Sequence, residues 1–83
     1  MNISSLPAAE ALVPFPEEKG SPIQLDLAEL EAMKLVELEK MPYDEAGFKM
    51  GVSRNTIWRL VEGGKEKLLL AFLEGRKIEL HKA

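Results

Sequence analysis

An all-α domain of three to four helices is the fold class this sequence predicts, and three observations predict it. Strong helix formers, Leu above all, fill most of the chain between residues 27 and 74. Helix-stop and helix-start signals meet within three residues, where Gly51 closes one segment and Ser53 opens the next. Only two short stretches, Ile23–Leu25 and Lys77–Leu80, carry strand character. With 83 residues and no internal repeat, the chain has room for one domain. Burial of roughly 60–65% of the unfolded surface implies a small core.

Residues 1–22 contain Pro7, Pro14, Pro16 and Pro22, with Gly20 and Ser21 beside the last. Repeated prolines forbid a continuous helix, so this segment reads as an extended or disordered arm. The domain proper spans 23–83. Its first helix is expected over about 27–41, with Asp26 as N-cap and Glu29 completing a capping box. Leu27, Leu30, Leu38 and Met41 share one face, with Met33 at its margin, and Pro42 ends the run. Lys34 lies near the middle of that face. Its stem is expected to cover apolar surface while the ammonium reaches water, a reading preferred over ligand contact.

The second helix is expected over 43–50, closed by Gly51, and the third starts at Arg54 behind the Ser53 cap. Ile57, Leu60 and Val61 point inward together. Gly63-Gly64 costs about 1 kcal/mol per glycine relative to Ala. The third helix, 54–62, therefore either breaks there and restarts to 74, or passes through at a site of close packing. Between Leu68 and Leu73 almost no polar face remains, which calls for burial on more than one side.

YDEAGFKMGVSRNTIWRLVE, residues 43–62, matches a helix-turn-helix over its whole length. Ala46 and Gly47 are small where two helices cross, Gly51 makes the turn, and Met50, Val52, Ile57 and Leu60 close the corner. Asn55, Trp58, Arg59 and Glu62 fall opposite Ile57, with Arg54 at the edge. Arg pairs bidentately with guanine, Asn with adenine, and an apolar surface meets a thymine methyl. The candidate DNA contacts are Lys49, Ser53, Arg54, Asn55, Thr56, Trp58 and Arg59. For each there is a plain alternative: solvated arginines, a cap that serves its own helix, or an indole packed over a neighbouring stem.

Residues 25–80 resemble the small prokaryotic family UPF0251, or DUF134, of predicted DNA-binding proteins. The resemblance is carried by Leu25-Asp26, Glu29-Leu30-Glu31-Ala32, Leu35, Glu45-Ala46, Met50-Gly51-Val52-Ser53-Arg54, Thr56 and Gly75-Arg76-Lys77. It implies a sigma-factor type of helix-turn-helix. The chain departs from the family pattern in lacking a basic, cysteine-containing arm, in Trp58, and in Gly63-Gly64.

Net charge is −3, but it is segregated. Residues 1–45 hold ten acidic and three basic side chains, and residues 46–83 hold four and eight, so −7 and +4. A polyanion needs a local basic surface, which the second half supplies. With no cysteine there is neither a disulfide nor a thiolate metal site. No glycine-rich phosphate loop or metal-ligand spacing occurs, and His81, the sole histidine, lies in the tail. No enzyme, metal or cofactor is expected. Nor is a signal peptide or membrane helix, which suits a cytoplasmic protein.

The expected function is double-stranded DNA binding by a transcriptional regulator, with the third helix in the major groove. Leu68, Leu69, Phe72 and Leu73 are the candidate homodimer interface. The competing expectation is a protein-interaction module, docking a partner such as transcription machinery through 68–73.

Overall fold

The computed structural model describes residues 1–82. Strand β1 is Ala11–Leu12 and β2 is Ile23–Asp26. Helix α1 is Leu27–Met33, continued by a π-helical segment Lys34–Leu38; α2 is Tyr43–Met50, α3 is Arg54–Glu74, and strand β3 is Ile78–His81. The fold is therefore mixed, three helices against a small sheet, and not all-α as the helix formers suggested. The two stretches with strand character pair with each other inside one chain. Ile23, Gln24, Leu25 and Asp26 lie parallel to Ile78, Glu79, Leu80 and His81, and β1 adds antiparallel to the far side of β3. Alternation decides the burial: Ile23 and Leu25 enter the core while Gln24 faces out and donates to Glu79 at 2.6 Å.

The first helix differs from expectation in two ways. It stops at Leu38 rather than Met41, where Glu39 N–H bonds the Lys34 carbonyl at 3.0 Å and Lys40 takes φ 59. The wider π turn also rotates the residues after it. Ala32 and Leu35 are wholly buried, whereas Leu38, expected inward, is 77% exposed. Leu27, Leu30 and Met41 are only half-buried. Lys34 stands half-buried among them, 3.2 Å from the Glu31 carboxylate and 2.6 Å from the Ser4 hydroxyl.

Helix α3 runs unbroken through Gly63-Gly64. The reason is the α1 crossing: a Cβ on Gly64 would lie 2.6 Å from Met33 Cε, and one on Gly63 2.7 Å from Glu29 Oε2. Glu29 is itself buried, its Oε1 accepting from Asp26 N–H at 2.9 Å and from Lys67 at 2.8 Å. One carboxylate thus caps α1 and ties it to α3. At about 1.5 Å per residue α3 is roughly 32 Å long, the spine of a molecule measuring 40 × 21 × 21 Å.

The arm lies extended along this spine. Asn2 N–H bonds the Met50 carbonyl, Ser4 donates to Glu31, Leu80 N–H bonds the Glu10 carbonyl, and Lys19 N–H bonds the Gly75 carbonyl. Burial alone would raise the Glu31 carboxyl. The Ser4 hydroxyl and N–H and the Lys34 ammonium outweigh that and hold it below its ordinary value.

Candidate nucleic-acid interface

The corner between α2 and α3 depends on four residues. Gly51 takes φ 75, a left-handed conformation that costs a glycine little, and Val52 N–H returns to the Gly47 carbonyl at 2.9 Å. Gly47 allows the close approach, since a Cβ there would meet the Val52 carbonyl oxygen at 2.7 Å. Ser53 caps α3, its Oγ accepting Thr56 N–H at 3.1 Å. Ala46, Met50, Ile57 and Val61 fill the interior of the corner, all with no exposed surface. Val52 and Leu60 close its edges, half-buried.

This packing holds the opening of α3 out of the body. Arg54, Asn55, Trp58 and Arg59 are all exposed and share the side away from Ile57, with the indole at 50%. Charge pairing separates the two arginines from nearly all the other cations. Lys19, Lys34, Lys49, Lys65, Lys67, Arg76, Lys77 and Lys82 each have a carboxylate within 4.0 Å. Among the described residues, Arg54 and Arg59 do not, a state they share with Lys40. A guanidinium free of internal ion pairs keeps its whole donor fork available to an external anion.

The other candidate contacts are placed less freely. Lys49 sits at the end of α2, 3.9 Å from Glu39 across the corner. Ser53 and Thr56 are engaged with each other, their hydroxyl oxygens 3.0 Å apart, so both serve the cap. Asp44 and Glu45 make the first turn of α2 acidic, which repels phosphate there. The basic part of the corner is thereby confined to the end of α2 and the start of α3.

Two neighbours of this surface were not among the sequence candidates. Phe48, on α2, is 89% exposed. It breaks the inward apolar pattern of α2 set by Ala46 and Met50, a signal present in the sequence. Asn2 reaches the same corner from the arm, its side chain donating to the Lys49 carbonyl at 3.2 Å. No local pattern joins residues so far apart in the chain. At the opposite end of α3 the four candidate interface residues divide: Leu68 packs half-buried against the core, while Leu69, Phe72 and Leu73 are exposed. Among the described residues, no helix is long and apolar enough to cross a membrane.

A family model described as "Protein of unknown function DUF134" matches residues 1–82, arm included. A UPF0251 protein of Archaeoglobus fulgidus is 46% identical over 80 residues, covering 96% of this chain and 76% of the relative. UPF0251 proteins of Pyrococcus furiosus and Thermococcus kodakarensis are 42% and 40% identical over 57 residues, 69% of this chain. These matches span only about half of the latter two relatives, 53% and 50% of their lengths. No solved structure matches significantly.

Proposed function

The chain belongs to the DUF134 family, and from that premise and the geometry of the α2–α3 corner we propose that it binds double-stranded DNA as a transcriptional regulator. The observation that carries the reading is the pair Arg54 and Arg59, exposed on one face of a braced helix start and unpaired among the described residues. The opening of α3 enters the major groove as the second helix of a helix-turn-helix. Arg54, one residue past the cap, meets phosphate, where the helix dipole adds to its charge. Arg59 and Asn55 lie one turn apart and reach base edges, guanine and adenine being their best partners. Trp58 between them offers an apolar surface to sugar or to a thymine methyl.

The face carries its own restraint. Asp44, Glu45 and the half-buried Glu62 border it, so the attraction is local and affinity for arbitrary sequence stays modest. Titrating mixed-sequence duplex while following Trp58 fluorescence tests the proposal. A saturating change in the roughly 10⁻⁴ to 10⁻⁶ M range, weakened by added salt, is expected. An unchanged spectrum together with no mobility shift would move the function to a protein contact.

A further inference from the structure

The far end of α3 is built differently from its start. Phe72 is 86% exposed, with Leu69 and Leu73 beside it, and the arm brings Leu12, Val13 and Phe15, the last 95% exposed, to the same end. At about 150–200 Å² for a fully exposed large side chain, these six present roughly 800 Å². The largest apolar patch of a typical monomer is about 300–600 Å². A standard interface takes about 800 Å² from each partner. The patch is the size of one side of a stable complex.

We infer that this end of the molecule docks a second copy of the same chain. The shape of the patch selects that occupant. Phe72 and Leu73 form a ridge along the rim of a cavity of about 600 Å³, walled by the arm and floored by Ala71 and Ile78. A two-fold interface needs ridge and hollow on one surface, so that each copy inserts into the other. The rim is self-complementary in charge as well. Glu17 and Lys19 lie at one side and Glu74 and Arg76 at the other, at present paired locally at 3.6 and 3.0 Å. A net charge of −3 disfavours an anionic lipid surface.

The two ends of α3 then have separate tasks. Thirteen residues, roughly 20 Å of helix, lie between Arg59 and Phe72. A two-fold axis at Phe72 holds two reading faces up to about 40 Å apart, comparable to half-sites one DNA turn, about 34–36 Å, apart. This spacing rests on the DNA reading; the dimer does not.

Sedimentation velocity without DNA, from 1 to 100 µM chain, tests it on three proteins: the wild type, Phe72→Glu and Phe15→Glu. The wild type is expected to sediment as a dimer. Each substitution is expected to raise the dissociation constant by roughly 30-fold or more. Both side chains are exposed, so circular dichroism and melting of the monomer are expected to stay as they are. A wild type that remains monomeric at 100 µM, or a dimer indifferent to both substitutions, would overturn the inference. A dimer that binds no duplex leaves the inference standing and overturns the DNA reading alone.

Discussion

Gly47→Ala is the substitution that most directly strains the corner. A Cβ at this position would lie 2.7 Å from the Val52 carbonyl oxygen and 3.3 Å from the Arg54 amide nitrogen. Both neighbours are backbone, so no rotamer change relieves the clash and the turn itself must move. Alanine gains about 1 kcal/mol of helix propensity over glycine. Against this stand an overpacking cost of about 1–3 kcal/mol and a weakened bond from Val52 N–H to the Gly47 carbonyl, worth about 1 kcal/mol. The net is a loss of about 1–3 kcal/mol. For a domain of this size each kcal/mol moves Tm by about 4–8 °C, so thermal unfolding is expected roughly 5–20 °C lower. Urea unfolding should show a lower midpoint at constant slope. Gly64→Ala makes the control, because its Cβ meets the flexible end of Met33, at 2.6 Å from Cε, instead of backbone. Its change is expected to stay within about 1 kcal/mol. A Gly47→Ala protein melting at or above the wild-type temperature would refute the close approach of α2 to the turn.

The buried carboxylates give two further outcomes. Lys67→Met leaves Glu29 buried beside Gly63 without its cation, and should cost about 1–3 kcal/mol in urea unfolding. Adding Glu29→Gln should recover at least half of that loss. Glu31 sets an acid limit, because its carboxyl is held below the ordinary value in the folded chain. Such a group stabilises the fold above the unfolded pKa of about 4.3 and ceases to as pH falls through its folded value. The urea midpoint should therefore drop between about pH 5 and 3, and Glu31→Gln should flatten that part of the profile.

The features legible in the sequence were those decided within a few residues. Ser53, Gly51 and the Asp26–Glu29 pair announce their boundaries through local hydrogen bonding and backbone freedom, and the structure has each boundary there. The inward set of the corner was legible for the same reason, since Met50 and Ile57 are bound to one turn. The buried face of α1 was not. A period of 3.6 selects Leu27, Leu30 and Leu38, but one extra residue in the Lys34–Leu38 turn resets the phase and sends Leu35 inward. Strand β1 was missed because its two residues are held by β3, from the other end of the chain, with Ala11 in register with Glu79. Gly63-Gly64 posed two alternatives, and only the distance to Met33 and Glu29 decides between them. At the candidate site the exposure of Arg54 and Arg59 was legible from helical spacing. Their freedom from carboxylates was not, because it depends on which acidic side chains fold nearby.

The central claim is that the Arg54–Arg59 face of α3 binds DNA, and the salt dependence of duplex affinity tests it most directly. The wild type is to be compared with the Arg54→Ala, Arg59→Ala double variant by anisotropy of a labelled duplex across a range of salt. The two side chains are exposed, so the variant should keep the wild-type circular dichroism and Tm. The account predicts at least a tenfold loss of affinity at low salt, and a slope of log K against log salt shallower by about 1 for each arginine that met a phosphate. Unchanged affinity and an unchanged slope in the folded double variant would contradict it.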